Sequence, residues 1–385
     1  MKLHPVYQEM GVTIFEYMSG LCRDGRRINL GQGFPDDHGP MELREAAARA
    51  LLTRSSQYPP MAGIPELRTA LANFYFKEQG LAVTPEHFIV TSGATEALTA
   101  AILAIVTPGS EVIIFAPSYD LYAPMVRRAG GVPVFVPLAP PDWGYDIEDI
   151  EQKVTTRTVA LILNDPLNPT GSIATVAELE QLAQLCVRHD LVAICDEVWE
   201  TVRFDGSIHR SLLDFPEMAH RAIKIGSAGK IFGLTGWKIG WLCAAPALAA
   251  GIARAHQFLT FTTAPATQYA VAEGLDKPGL VETLRGGWAA SRTALNQLLE
   301  SAGFTVLPGP ATWFSCIDLA ASGIGLEDLE FSQRAVIDAG VATIPLAAFM
   351  HDGRTTGIIR LCHCKDRQTL EHGVERLAAF RQTLV

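Results

Sequence analysis

Residues 158–197 read TVALILNDPLNPTGSIATVAELEQLAQLCVRHDLVAICDE. The stretch opens on one apolar run, Val159 to Leu163, and closes on another, Leu191 to Cys195; an amphipathic helical pattern covers Val176 to Arg188 between them. Two short continuous apolar runs joined through a helix read as a βαβ unit, with parallel strands covered on both faces. The alternation extends outward, from about residue 65 to 245. Phe88-Ile89-Val90 leads into Thr95 to Val106, and Glu111 to Phe115 leads into Leu121 to Ala129. Ala222 to Ile225 and Ile239 to Ala244 add further runs. The predicted class is α/β, a mostly parallel central sheet with helices on both faces. Ligands of such sheets gather at the carboxyl ends of the strands.

The last third reads differently. A long helical stretch, Gly279 to Ala302, precedes short strands around Phe304, Phe314 and Ile358, and a terminal helix begins at Asp366. This α+β pattern predicts a smaller second domain, with the N-terminal segment packed onto it. The expected division is a large domain over 45–275 and a small discontinuous one from 1–44 and 276–385.

With 385 residues, 48% of them hydrophobic, the chain can build a large core. Its net charge of −10 and the lack of a basic run argue against nucleic-acid binding. The start, Met1-Lys2-Leu3-His4-Pro5, lacks the apolar core of a signal peptide, and runs such as Thr158 to Leu163 are too short to span a bilayer. Seven scattered cysteines make no disulfide framework, so a cytoplasmic setting is expected. Cys362-His363-Cys364 lies on a strand-like run, where alternate residues face opposite ways, and it reads as ordinary strand rather than a metal site.

The chemistry collects just after the strands. Thr91-Ser92-Gly93-Ala94-Thr95-Glu96 is a small-residue turn opening a helix, a setting for an anion such as phosphate, although such turns are commonplace. Tyr119 places an aromatic ring after Ile114-Phe115. The prolines of Asn164 to Gly171 constrain a loop that can fix the Asn168 amide. Asp196 ends an apolar strand, where a carboxylate is partly buried and normally needs a cationic partner, most often in a structural salt bridge. Lys230 lies among small and apolar residues, in a segment whose glycine spacing is not that of a Walker loop. Burial there favours the neutral amine that attacks carbonyls. An amine, a carboxylate, anion donors, an aromatic face and an amide together match the needs of pyridoxal 5′-phosphate (PLP).

The order of Thr91–Glu96, Asn168-Pro169-Thr170-Gly171, Asp196-Glu197-Val198 and Ser227–Lys230 through Thr235-Gly236-Trp237-Lys238 resembles the fold type I, class I/II PLP-dependent aminotransferases, over essentially the whole chain. Gly31-Gln32-Gly33-Phe34-Pro35-Asp36, Gln57-Tyr58, Pro117 to Tyr122, His256-Gln257 and Ile359-Arg360-Leu361-Cys362 are similar to the kynurenine/glutamine and methionine aminotransferase branch. The resemblance implies roles. Lys230 would hold the cofactor and move the proton, Asp196 would pair with the pyridinium nitrogen, and Tyr119 would stack on the ring. Gly93, Ala94, Thr95, Ser227 and Lys238 would hold the phosphate, joined by Tyr58 from the second subunit of a homodimer. Asn168 would touch ring oxygen and substrate. Arg360 would grip the substrate carboxylate, with Gly33 and Phe15 lining the entrance.

Two positions depart from the family pattern. Trp199 stands where a tyrosine usually donates to the ring oxygen, and Pro310-Ala311-Thr312-Trp313 replaces a glycine-richer turn. The expected reaction moves an amino group from an L-amino acid to a 2-oxo acid. Phe15, Tyr17, Tyr119 and Phe349 read either as core residues or as an apolar cleft, and as a cleft they suggest aromatic, methionine or glutamine-like side chains, kynurenine included. Cysteine-conjugate β-elimination is the chief alternative on the same scaffold. A non-catalytic PLP-binding regulator is disfavoured by the lack of a spare basic segment.

Overall fold

The computed structural model describes residues 4–23 and 25–384; the stretch Met1–Leu3, part of the segment read for a leader, lies outside them. Seven strands make the central sheet: β1 (Phe88–Ser92), β2 (Glu111–Ala116), β3 (Val132–Pro137), β4 (Thr158–Asn164), β5 (Val192–Asp196), β6 (Ala222–Ser227) and β7 (Ile239–Cys243). Their spatial order is β1-β7-β6-β5-β4-β2-β3. The sheet is mostly parallel, as expected; β7 alone runs against its neighbours, with Leu242 opposite both Ile89 and Ile225. The β3 strand escaped the sequence reading because its ends carry Pro133 and Pro137. Proline removes a ladder donor and is tolerated at a sheet edge, where β3 lies.

Strand alternation builds a core on each face. On one face Leu161, Leu163, Ala193 and Cys195 pack with Leu179, Leu182 and Leu185 of α2 (Val176–Arg188). On the other, Ile114, Ile162, Ile194 and Leu242 pack with Leu98 and Ile102 of α1 (Gly93–Ile105). The α2 helix starts where it does because Thr175 and Glu178 form a reciprocal capping box.

The C-terminal third forms a four-stranded antiparallel sheet of β8 (Thr305–Val306), β9 (Phe314–Asp318), β10 (Ile344–Pro345) and β11 (Ile358–Cys362), in the order β10-β11-β9-β8. It shares a core with the helices Leu280–Ser301 and Arg367–Gln382. Ile28–Asn29 pairs in parallel with Val341–Ala342, which brings the N-terminal segment against this third. His363 turns to the Thr312 carbonyl while the Cys362 and Cys364 sulfurs meet at 3.1 Å, so the alternation keeps the histidine apart from the thiols. Among the described residues no helix is long and apolar enough to cross a membrane.

The first residue of β7 sits at the edge where its antiparallel neighbours β1 and β6 end, so Lys238, just before β7, joins the residues that follow β1, β4, β5 and β6.

Candidate active site

That edge opens into a cleft of about 480 Å³. At one end lies the turn into α1. Gly93 has φ +75°, a conformation L side chains rarely adopt, and a Cβ there would press on the Lys238 ammonium at 3.1 Å. Gly240 of β7 passes so close that a Cβ would stand 2.5 Å from the Ala94 nitrogen. Backbone packing therefore sets the helix start, whose first N–H groups have no intrahelical acceptor and concentrate positive potential. Ala94, Thr95, Ser227 and Lys238 line this end of the cleft.

Asp196 closes β5 and is buried. The Tyr122 hydroxyl donates to Oδ2 at 2.6 Å, while Oδ1 is buried with no partner. Burial raises the carboxyl pKa to about 6, against the Tyr122 bond that lowers it. Lys230 follows Ser227 on a one-turn helix, Ala228–Ile231. Its ammonium makes one long contact, 3.4 Å to the Gly33 carbonyl, and lies 4.6 Å and 5.0 Å from the ring centres of Trp199 and Trp313. Burial brings its pKa down to about 8. The neutral amine is thus accessible near physiological pH.

Opposite stands Arg360, near the middle of β11 and 2% exposed. It donates to Asn168 Oδ1 and to the Gly31 carbonyl, both at 2.8 Å, and its Nε is buried without a partner. The guanidinium lies 3.8 Å from the Phe314 ring centre, 5.0 Å from Phe349 and 5.5 Å from Phe15. Burial pushes its pKa down to about 10. Asn168 is held in turn, its N–H donating to Asn164 Oδ1 at 2.9 Å while Asn164 donates to the Asp196 carbonyl at 2.8 Å. Tyr119, its pKa pushed up to about 12 by burial, offers a ring to the same cleft.

Of the residues singled out from sequence, Gly33, Phe15, Gly93, Ala94, Thr95, Tyr119, Asn168, Asp196, Trp199, Ser227, Lys230, Lys238 and Arg360 share this cleft. Tyr58 does not line it; it is 84% exposed, its ring set edge-on to Phe261 at 5.6 Å. Tyr17 and Phe349 are not cleft-lining residues either: Tyr17 is exposed, and Phe349 backs Arg360 and Phe15. Trp199 packs edge-on against Trp313 and Phe314, 5.1 Å and 5.3 Å between ring centres.

Sequence reasoning assigned no role to Tyr122, Asn164, Trp313 or Phe314. Tyr122 stands three residues after Tyr119, on the next turn of chain, and that spacing is the signal that could have found it. Trp313 gives the replaced turn a physical reading, because its ring supports Lys230.

The donor set fits PLP. A free-standing amine, a buried carboxylate oxygen without a partner, a helix start whose first N–H groups lack intrahelical acceptors beside a lysine, and a ring wall are the complements of its aldehyde, pyridinium nitrogen, phosphate and π-face. The buried group close enough to hold a cation among the described residues is elsewhere, Glu197, Glu200 and His209, and the Lys224 ammonium already pairs with both glutamates.

Comparison with known proteins agrees. The model of the family described as aminotransferase class I and II matches residues 26–377. The chain is 39% identical to the probable N-succinyldiaminopimelate aminotransferase of Mycobacterium tuberculosis over 96% of each chain. It is 38% identical to the methionine aminotransferase of Escherichia coli over 96% of each, and 34% identical to kynurenine–oxoglutarate transaminase 3 of Mus musculus over 94% of this chain and 86% of that one. The solved structures of the first two superpose with a TM-score of 0.93, each covering 98% of this chain and 100% of the other. The chain therefore belongs to the class I and II aminotransferases and is a PLP-dependent enzyme of fold type I.

Proposed function

We propose that this aminotransferase takes its amino group from a neutral L-amino acid with an aromatic, methionine-like or glutamine-like side chain, kynurenine included, and passes it to a 2-oxo acid. The observation that carries the reading is the surroundings of Arg360. Its guanidinium keeps an unpaired buried Nε and is walled by Phe314, Phe349 and Phe15. The other cations lining the cleft, Lys230 and Lys238, are committed to the cofactor in this reading. An aromatic wall beside a single carboxylate grip suits a substrate whose side chain is uncharged.

Bound PLP supplies an aldehyde for amine exchange and an electron sink for the bond broken at the substrate α-carbon. The protein residues do the rest. Lys230 would anchor the cofactor covalently through Nζ and, as a neutral amine, would carry the proton taken from the substrate α-carbon. Asp196, with Oδ1 unpaired, would hold a positive ring nitrogen, and that partner would lower the carboxyl pKa that burial has raised. The 93–95 turn, Ser227 and Lys238 hold the phosphate. Asn168, braced by Asn164, aligns Arg360 with the carboxylate and leaves its amide N–H for the ring oxygen. The Trp199 indole N–H is proposed as a second donor to that oxygen.

The division into 45–275 and 1–44 with 276–385 belongs to the same proposal, supported by the pairing of residues 28–29 with 341–342. So does a homodimer in which Tyr58 reaches the neighbour's phosphate. Tyr58, Leu52 and Phe258 are each more than 80% exposed, an apolar surface suited to a two-fold contact.

The test is a panel of amino donors against one 2-oxo acid, repeated without the acceptor. Neutral aromatic, methionine and glutamine donors should give the highest kcat/KM, and turnover should stall after one cycle when the acceptor is withheld. Preference for aspartate or glutamate as donor would reject the substrate reading, and sustained turnover of an added cysteine conjugate without acceptor, with its thiol released, would favour β-elimination.

A further inference from the structure

A buried ion pair lies behind the cleft, between two residues that do not line it. Glu96, on the first turn of α1, is 7% exposed. Its Oε2 accepts from the Ser92 N–H at 2.5 Å, fixing the turn that presents Gly93, Ala94 and Thr95. Its Oε1 accepts from the Thr260 hydroxyl at 2.7 Å and lies 2.7 Å from His256 Nδ1. The other ring nitrogen, Nε2, lies 3.0 Å from the Met61 carbonyl. His256 closes the helix Pro246–His256 and is fully buried.

Both partners of the ring are acceptors, a carboxylate and a carbonyl. Neutral imidazole carries one N–H and can serve only one of them; imidazolium serves both. We propose that His256 is a positioning residue, held as the imidazolium, that ties the phosphate turn at 92–95 to the loop carrying Tyr58. The proposal rests on the assignment of that turn to the cofactor phosphate. Met61 is three residues beyond Tyr58, and Phe261, five beyond His256, packs on the Tyr58 ring. The segment 256–261 thus braces the turn through Glu96 and the Tyr58 loop through Met61. In the proposed dimer Tyr58 serves the neighbouring site, so one ion pair links the two.

The electrostatics agree. Burial works against a charged ring, but the Glu96 hydrogen bond and charge, with the Met61 carbonyl, outweigh it and raise the His256 pKa above its ordinary value of 6.5. Glu96 is lowered despite its own burial, through His256, Thr260 and Ser92. Glu86 and His87, on the turn before β1, and Arg254 on the helix itself make no hydrogen bond or ion pair with the ring. With a raised pKa, the full bond set is present at low pH and lost as pH rises through that value.

The experiment is titration of cofactor-free dimer with PLP between pH 6 and 9.5, by visible absorbance and equilibrium dialysis. Wild type, His256→Gln and Thr260→Val are compared, with pyridoxal as the phosphate-free control. Wild-type affinity should fall about tenfold as His256 deprotonates. His256→Gln should be weak throughout and lack that limb, while kcat at saturating cofactor is retained and pyridoxal affinity is unchanged. Thr260→Val should lose about threefold and keep the limb. If His256→Gln does not fold, nitrogen NMR of wild-type histidine side chains decides: two protonated ring nitrogens at pH 6–7 support the proposal and a neutral ring overturns it. A His256→Gln protein with wild-type affinity and pH profile overturns it, as does an equal loss for pyridoxal. A wild type that binds no PLP overturns the site assignment first and this linkage with it.

Discussion

Asp196 and Glu197 adjoin in the chain, and Lys224 and Lys230 lie six residues apart, yet the two carboxylate–lysine pairs occupy opposite regimes. Glu197 is saturated: it takes Lys224, His209 at 2.6 Å and the Ser211 hydroxyl at 2.7 Å. Lys224 adds Glu200 at 2.7 Å. Burial would raise the Glu197 pKa, but Lys224 and His209 overcome it and hold it at about 2; against the same penalty its glutamates drive Lys224 above its ordinary value. Asp196 and Lys230 shift the other way, up to about 6 and down to about 8, because burial acts on each with few partners to oppose it. The first pair is a closed structural network, and the second leaves bonding capacity for a ligand. A buried carboxylate at a strand end reads as either from sequence, and the partner count separates them.

The sharpest way to break the comparison is at the open pair. Lys230→Ala should reduce turnover by about 10⁴-fold or more, since anchor and proton carrier vanish together. Reductive trapping with borohydride and peptide mapping should place the cofactor on Lys230; a label on Lys224 or Lys238 would refute the assignment.

At the closed pair the loss should fall on stability. Glu197→Ala leaves Lys224 with one carboxylate fewer and should cost about 3–5 kcal/mol in denaturant unfolding, with KM near wild type. Because the folded pKa of Glu197 is depressed, its contribution is full above the ordinary value of 4.5 and is lost as pH falls toward 2. Glu197→Gln should flatten that acid limb; an unchanged limb would assign acid sensitivity elsewhere.

Arg360→Ala should raise KM for amino and oxo acids alike by the equivalent of about 2–5 kcal/mol while PLP stays bound. An unchanged KM would mean that another residue holds the carboxylate. Smaller and opposite in sign is Lys230→Met in cofactor-free protein. A lysine with lowered folded pKa destabilises the fold as pH drops from 10.5 toward 8, so its removal should add about 1–2 kcal/mol at pH 7. Loss of stability instead would show that Lys230 is satisfied.

The smallest effect is expected at Trp199. If its indole N–H donates to the cofactor oxygen, Trp199→Phe should shift the visible-absorbance titration of bound cofactor upward by about half a unit. Coincident curves would leave Asn168 as the sole donor.

Local pattern made much of this molecule legible. Apolar runs and helical periodicity marked six of the seven central strands, and small residues, prolines, a strand-end carboxylate and a lysine among apolar neighbours after those runs marked Gly93, Asn168, Asp196 and Lys230. Proline hid β3, since its missing donor argues against a strand until the strand is known to be an edge. Tyr122, Asn164 and the Glu96–His256 pair were not legible, because each acts on a residue brought near by folding. Tyr58 entered only through resemblance; in this chain it stands outside the cleft.

What the sequence determined by itself is the set of elements and the residue types at their ends, because backbone conformation and burial patterning are local and read along the chain. Which of two adjacent carboxylates receives the ion pair was decided only by the tertiary structure. Glu197 meets Lys224, from the neighbouring strand β6, and His209, from the loop beyond β5, whereas Asp196 meets Tyr122, from the helix that follows β2. Coulomb and hydrogen-bond energies depend on distance in space, and chain separation does not encode that distance.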